Sequence, residues 1–195
     1  MDTLVLKSID SFTDKQFFEF CRVNDELRIE RDALGNILIM EPTGLETGNL
    51  NSEVNGELRN WNREYKEGKT FDSSSGITLP DSSVRSPDSM WIAIEKWKAI
   101  PKDERKKFAH VTPDFVLEIR SESDSLKKLQ EKMQTTYIKN GVRLAWLIEP
   151  QGEQVFIYRA DGSVDHVSTF DQVLSGEDVL KGFTLKLSDL IDQED

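Results

Sequence analysis

The sequence predicts an α/β fold in which helices flank a mixed sheet. Segments with the helical spacing of apolar residues alternate with groups of segments rich in β-branched and aromatic residues, in the order helix, strands, helix, strands. The length of 195 residues, with 37% hydrophobic and 31% charged residues, is typical of one globular domain with a substantial core. No internal repeat or linker divides the chain, so we expect a single domain over residues 1–195.

An N-terminal helix and a hairpin are predicted over residues 13–41. Thr13 is a candidate N-cap, with Gln16 three residues later as in a capping box. Apolar residues then follow with helical spacing at Phe17, Phe20 and Cys21. The next segment, LRIERDALGNILIM, has two alternating runs around Gly35-Asn36, which is the pattern of two strands joined by a tight turn.

The second helix is predicted within TGNLNSEVNGELRNWNREY. Its apolar residues are separated by four, four and three positions and form one helical face, made of Leu50, Val54, Leu58 and Trp61. Three strand candidates follow it: TFDSSSGITLP, SPDSMWIAIEKW and PDFVLEIR. Because β-branched and aromatic residues are concentrated in these segments, we expect them to contribute to the sheet.

The third helix is predicted within SLKKLQEKMQTTYIKNG, with Ser125 as a candidate N-cap and Gly141 as the C-terminal stop. Its apolar face contains Leu126, Leu129, Met133 and Tyr137. Two further strands, RLAWLIEP and QVFIYRA, are joined by a turn at residues 151–153. The remaining tail, residues 175–195, is expected to wrap the core through Val179, Leu180, Phe183, Leu185 and Leu187.

The net charge of −11 argues against a general nucleic-acid-binding surface, since affinity for phosphates depends on Lys and Arg. The charge is unevenly distributed, however. Residues 161–195 contain nine acids and only two lysines, whereas the segment Glu95–Lys107 contains six basic and three acidic residues. This second segment, which we call the basic segment, is either a solvated face or a place where phosphates bind.

Several classes of protein lack support in the sequence. The chain has one cysteine, Cys21, and two widely separated histidines, His110 and His166, so neither a disulfide framework nor a histidine or cysteine metal site is expected. No serine-hydrolase elbow and no glycine-rich nucleotide loop occur. No apolar run approaches the roughly 18 residues of a membrane helix, and the N-terminus lacks the features of a secretory signal. We therefore expect a cytoplasmic protein without a membrane partner.

The strand candidate PDFVLEIR carries charges on one of its two faces. Side chains alternate along a strand, so Asp114, Glu118 and Arg120 share a face. A second Pro-Asp pair ends at Asp88, at the head of the preceding strand candidate, and Asp88 approaches Glu118 if the two strands pair. Two such carboxylates suit Mg²⁺, but a salt bridge of Glu118 with Arg120 or Lys132 is an alternative explanation.

Several long segments, in the same order, resemble the Uma-two family of restriction endonuclease-like proteins, within the PD-(D/E)XK nuclease superfamily. The segments are TGNLNSE, FDSSSGITLPDSSVRSPDSMWI, TPDFVLEIRSESDSLKKLQEKM, NGVRLAWLIEP and SGEDVLKGF. The resemblance extends at least from Leu27 to Leu187. It implies a restriction endonuclease-like core of helix, strands, helix and strands, which agrees with the order of elements derived above.

The resemblance also implies a set of site residues. Asp88 and Glu118 match the metal-binding carboxylates of the superfamily, and Glu53 on the second helix is either a third metal ligand or a solvated helix charge. At the position of the motif lysine this chain has Arg120, which remains protonated and can hold a phosphate but cannot act as a base. In some members of the superfamily the lysine comes from the following helix, where Lys132 is the candidate here.

These features predict a Mg²⁺-dependent endonuclease, with Mn²⁺ as an alternative ion, that hydrolyses phosphodiester bonds in DNA. Asp88, Glu118 and Glu53 are the predicted metal ligands, Lys132 assists the attacking water and Arg120 contacts the phosphate. The alternative is a non-catalytic module of the same fold for nucleic-acid binding or assembly, which the acidic charge and the absent motif lysine favour. By analogy with double-strand cleavage, a homodimer is also expected.

Overall fold

The computed structural model describes residues 3–7 and 12–191. The strands are β1 Leu4–Leu6, β2 Arg28–Arg31, β3 Ile37–Met40, β4 Gly68–Asp72, β5 Ile77–Thr78, β6 Val84–Arg85, β7 Ser89–Ala93, β8 Ala109–His110, β9 Phe115–Ile119, β10 Leu144–Glu149, β11 Gln154–Arg159, β12 Val164–Val167, β13 Val173–Ser175 and β14 Thr184–Lys186. The helices are α1 Asp14–Val23, α2 Leu45–Tyr65, α3 Ile94–Ala99 and α4 Leu126–Lys132. A π-helical segment, Met133–Ile138, continues α4, and 3-10 turns lie at Glu104–Lys106, Pro150–Gly152 and Leu187–Leu190.

Most of the described strands form two sheets of six strands each. The central sheet has the order β12-β11-β10-β9-β7-β4, in which β9 and β10 are parallel and all other neighbours are antiparallel. The peripheral sheet has the order β1-β3-β2-β6-β5-β8, and β13 and β14 form a separate pair. The predicted fold class, a mixed sheet flanked by helices, is therefore confirmed.

The N-terminal helix and hairpin form as local sequence signals predict. The side chain of Thr13 accepts a hydrogen bond from the Gln16 backbone N–H, and the Gln16 side chain returns to the backbone of Thr13, which completes a capping box. Strands β2 and β3 pair antiparallel around Gly35, whose φ of +83° is readily available only to glycine. Phe17 of α1 packs on Ile29 of this hairpin, so the helix and hairpin share one small core.

Hydrophobic residues on the two faces of the central sheet form separate cores. On one face, Phe115 and Leu117 of β9 pack against α2 and the C-terminal tail. On the opposite face, Val116 packs against α4 and its π-helical continuation. The predicted tail residues are all buried in the first core: Val179, Leu180, Phe183, Leu185 and Leu187. Residues 192–195 of the predicted tail lie outside the described residues, and the single-domain organisation stays a prediction.

The structure corrects two of the predicted strands. The segment TFDSSSGITLP does not form one strand but divides between β4 of the central sheet and β5 of the peripheral sheet. The segment SPDSMWIAIEKW is extended only as far as Ala93, where α3 begins. The β4–β7 ladder ends at this point, and the Asp114 carboxylate accepts a hydrogen bond from Ala93 N–H at 2.9 Å. Within the described ranges, no helix is long and apolar enough to cross a membrane.

Candidate active site

The strand pair β7–β9 brings together the two predicted metal ligands. Ser89 lies opposite Leu117 in this antiparallel ladder, so Asp88, just before β7, lies beside the end of β9 that carries Glu118. Asp88 Oδ2 accepts a hydrogen bond of 2.9 Å from Ile119 N–H, the residue after Glu118. The predicted approach of Asp88 to Glu118 is therefore observed.

Helix α2 supports this arrangement from one face of the central sheet. Asn55 donates a hydrogen bond of 3.0 Å from its side-chain amide to the backbone carbonyl of Asp88. Val54 and Leu58 bury the apolar face of the helix against the sheet, which fixes the position of the helix relative to β7. The site is thus anchored to regular elements rather than to a loop alone.

The two carboxylates are electrostatically coupled. Burial, together with the neighbouring Glu118 carboxylate, raises the pKa of Asp88 from its usual value to about 7. Near neutral pH, Asp88 is therefore partly protonated, whereas an ordinary aspartate is ionised. A divalent cation would relieve the repulsion between the two ionised groups, because its positive charge interacts favourably with both.

Lys132, the candidate that the resemblance offers for the missing motif lysine, reaches inward from the end of α4. Its Nζ lies 2.7 Å from Glu118 Oε1, and only 20% of its side chain is exposed. Burial alone would lower the pKa of Lys132, but the carboxylates of Glu118 and Glu30 outweigh this effect and raise it. The ammonium group therefore stays charged, so Lys132 can donate hydrogen bonds but cannot accept a proton.

The structure contains the salt bridge between Glu118 and Lys132, which is one of the alternatives to a metal site. Lys132 and Tyr137 both contact Oε1 of Glu118, and the other oxygen, Oε2, has no hydrogen-bond partner among the described residues. Likewise, Asp88 uses Oδ2 for its hydrogen bond, and its Oδ1 has no such partner within residues 3–7 and 12–191. One oxygen of each carboxylate thus remains available to a ligand.

Arg120 forms its salt bridge with Glu149, not with Glu118, the partner named in the salt-bridge alternative. Its Nη1 lies 2.6 Å from Glu149 Oε1, and its Nε donates to the backbone carbonyl of Asp124 at 3.0 Å. Glu149 ends β10, which runs parallel to β9, so the two residues meet at the same end of the sheet. The Nη2 group of Arg120 has no acceptor among the described residues and remains free to bind an anion.

The structure does not bring Glu53 to the Asp88–Glu118 pair. Glu53 is exposed, and it lies two residues from Asn55, which contacts Asp88. Residues two apart differ by about 200° around a helix, so Glu53 projects from the opposite side of α2. In the described part of the chain, no group of three or more His, Cys, Asp or Glu side chains is placed to hold a metal.

The donor set nevertheless fits a magnesium-like ion. Mg²⁺ usually retains several waters and is held by one or two carboxylates together with substrate phosphates, rather than by a complete protein cage. Asp88 and Glu118 would be the residues that hold it, because each has one carboxylate oxygen without a hydrogen-bond partner among the described residues. Asp114, the third acid on the predicted charged face, is instead buried and bound by Ala93 N–H and by Lys96 Nζ at 3.0 Å, so it stabilises the strand end.

Sequence reasoning missed three polar residues around the pair. The helical pattern places Tyr137 on an apolar face, yet its hydroxyl contacts Glu118. Glu30 and Arg85, from the hairpin and β6, form a buried ion pair with an Nη1–Oε2 distance of 2.9 Å. Burial raises the pKa of Glu30, but Lys132 and Arg85 reverse the shift and lower it to about 2. The only signal in the sequence was the charge of Glu30 within a strand pattern.

A mixed sheet flanked by helices, with two adjacent carboxylates and an inward-pointing lysine, agrees with the restriction endonuclease-like core that the resemblance implies. A comparison with protein families gives the same answer, because the model described as "Uma2: Putative restriction endonuclease" matches residues 14–188. The chain therefore belongs to the Uma2 family. No curated protein matches it significantly.

A solved structure supports the fold independently. The chain is similar to the crystal structure of a putative nuclease belonging to DUF820 from Anabaena variabilis, with a TM-score of 0.68 and 22% sequence identity. The similarity covers 83% of this chain and 88% of the other. At this level of identity, the likeness establishes the shared fold.

Proposed function

We propose that this protein is a metal-dependent nuclease that hydrolyses phosphodiester bonds in DNA, with Mg²⁺ or Mn²⁺ as the ion. The observation that carries the proposal is the pair of Asp88 and Glu118, each with one carboxylate oxygen that has no partner in the described residues. Membership of the Uma2 family, whose model is described as "Putative restriction endonuclease", supports the same reaction class. When bound, a divalent cation neutralises phosphate charge and makes a bound water more acidic.

Each residue of the site has a specific role in this proposal. Asp88 in its ionised form and Glu118 would hold the ion. Lys132 keeps its positive charge, holds Glu118 Oε1 and orients the attacking water or a phosphate oxygen through its remaining N–H groups. Arg120 donates from Nη2 to a neighbouring phosphate while Glu149 holds the rest of its guanidinium group. Because Lys132 and Arg120 are both protonated, neither acts as the general base.

The test is calorimetric titration of Mn²⁺ and Mg²⁺ into the parent and three variants, with circular dichroism to confirm folding. Asp88→Asn and Glu118→Gln each remove a ligand, so we expect no measurable metal binding in either. Glu53→Gln is the matched control, because it removes the same charge from a residue outside the pair, and it should bind as the parent does. Metal binding by Asp88→Asn with parental affinity would show that the site is wrong.

The same variants also test activity on DNA. Cleavage of plasmid DNA by the parent should require the divalent ion and disappear with chelator, with Asp88→Asn and with Glu118→Gln, but persist with Glu53→Gln. A homodimer would suit cleavage of both strands, and this stays a prediction that sedimentation velocity can check.

A non-catalytic DNA-binding or assembly module remains the second candidate. The observation that favours it is the Lys132–Glu118 ion pair, which compensates one carboxylate without any metal. Such a module would bind DNA equally well with and without divalent ions. Absence of metal binding in the parent, both alone and with DNA present, would favour this candidate over the nuclease.

A further inference from the structure

Tyr137 is the residue of the site whose role neither the charge pattern nor the proposed chemistry explains. It is fully buried, and its hydroxyl donates a hydrogen bond to Glu118 Oε1, the same oxygen that Lys132 contacts. The Lys132 ammonium also lies 5.6 Å from the centre of the Tyr137 ring, within the range of a cation–π interaction. The side chains of Lys132, Tyr137 and Glu118 therefore interact around one oxygen, Oε1 of Glu118.

The π-helical segment makes this arrangement possible. Lys132 and Tyr137 are five residues apart, which places them about 140° apart around an ordinary α-helix. After Lys132, the backbone bonds change to the i to i+5 pattern, as in Lys139 N–H to Gln134 C=O at 3.1 Å. This pattern brings residues five apart back towards the same face, so both side chains reach Glu118.

We propose that Tyr137 is a positioning residue for the metal site, an inference that rests on the proposed function. By holding Oε1 together with Lys132, it prevents the carboxyl group from rotating and leaves Oε2 of Glu118 as the oxygen that binds the ion. Hydrogen-bonded partners of a metal-ligating carboxylate typically contribute about 10–100-fold to metal affinity or activity. Tyr137 does not itself touch metal or substrate.

The experiment compares Tyr137→Phe with Tyr158→Phe. Tyr158 is buried in the same core, and its hydroxyl makes no hydrogen bond within the described residues, so this variant removes an equivalent group without touching Glu118. In calorimetric titration with Mn²⁺, Tyr137→Phe should bind about 10–100-fold more weakly than the parent. Tyr158→Phe should bind within about threefold of the parent. Equal binding by Tyr137→Phe and the parent would overturn the proposal.

A spectroscopic measurement separates positioning from a merely structural role. The chain has three tyrosines, and a change in the hydrogen bond of one of them alters its ultraviolet absorption. Adding Mn²⁺ should perturb the tyrosine band of the parent and of Tyr158→Phe, because the ion draws charge from Glu118, but not that of Tyr137→Phe. If Tyr137→Phe does not fold, the parent spectrum alone decides, since an unchanged band in metal-bound parent overturns the proposal.

The two proposals fail in different ways. Suppose that the parent binds Mn²⁺, that Asp88→Asn does not, and that Tyr137→Phe binds as tightly as the parent. These results would support the metal site and contradict the positioning role of Tyr137. If the parent binds no metal with or without DNA, both the proposed function and the positioning role of Tyr137 are contradicted.

Discussion

The carboxyl group of Asp88 shows how strongly a single residue depends on its neighbours. An isolated aspartate in water would be ionised at neutral pH. Here burial and Glu118 raise its pKa to about 7, although the hydrogen bond from Ile119 N–H and the charge of Lys132 act in the opposite direction. Burial and the neighbouring negative charge of Glu118 therefore oppose ionisation of this carboxyl group.

This raised pKa predicts a particular dependence of stability on pH. Between the unfolded pKa near 4 and the folded pKa near 7, the folded protein binds more protons than the unfolded chain, so the free energy of unfolding falls as pH rises. Each unit of pKa difference corresponds to about 1.4 kcal/mol. Asp88→Asn, which cannot ionise, should therefore become increasingly more stable than the parent from pH 5 to pH 8.

Urea denaturation of both proteins at several pH values measures this difference. Groups that titrate equally in parent and variant cancel in the comparison, so the change with pH reports on Asp88. Saturating Mg²⁺ should remove the advantage of the variant at pH 8, because the ion stabilises the parent alone. A stability difference that is constant across pH would contradict the assigned pKa.

At the scale of elements, the basic segment is held at the end of β7 opposite to Asp88. Lys96 is bound to Asp114, and the Arg105 guanidinium stacks on the Trp97 ring at 4.5 Å, so these groups are part of the local packing. Lys106 and Lys107 are exposed and have no ion-pair partner among the described residues. Together with Lys102, which is likewise exposed and without an ion-pair partner among the described residues, they are groups of this segment that phosphates can reach.

We predict that Lys106 and Lys107 contribute to the salt dependence of DNA binding. Each phosphate contact contributes about 0.9 to the slope of log K against log salt concentration. The double variant Lys106→Gln, Lys107→Gln should therefore reduce this slope by about 2 in fluorescence anisotropy with duplex DNA. The matched control, Lys181→Gln with Lys186→Gln, removes the same charge from the acidic tail and should leave the slope unchanged. Equal slopes for the parent and the first double variant would show that Lys106 and Lys107 do not contact phosphates.

For the whole molecule, the C-terminal tail is a structural part of the central core. Phe183 lies with its ring centre 5.6 Å from that of Trp61 on α2 and 5.9 Å from that of Trp146 on β10. It is 2% exposed. The tail thus connects the helix beside Asp88 with the sheet that carries Glu118, although none of its described residues contacts Asp88 or Glu118.

Phe183→Ala should accordingly destabilise the entire protein. Removing a buried phenylalanine typically costs about 3–5 kcal/mol, through lost burial and the cavity that remains. Urea denaturation at neutral pH measures this cost. Leu45→Ala, at a position 95% exposed, is the control and should change the free energy of unfolding by less than about 0.5 kcal/mol. A loss below about 1 kcal/mol for Phe183→Ala would show that the tail is not part of the cooperative core.

The local features of this fold were predictable from the sequence. The Thr13 capping box, the Gly35 turn and the apolar face of α2 each depend on residues within a few positions of one another. Because side chains alternate along β9, the sequence also predicted that Val116 and Glu118 lie on one face of the strand and that Phe115 and Leu117 lie on the other. The proximity of Asp88 and Glu118 was predictable once the pairing of two neighbouring strands was assumed.

Only the tertiary structure decided which other groups meet this pair. Glu53 faces away because of its angle around α2, Arg120 pairs with Glu149 because β9 and β10 are parallel, and Tyr137 reaches Glu118 because of a π-helical turn. Each outcome depends on strand register or helical twist between residues distant in the chain, whereas caps, turns and apolar periodicity are determined locally. The sequence therefore determined most of the elements and the central carboxylates, and the packing of those elements determined which neighbouring groups set the charge of the carboxylates.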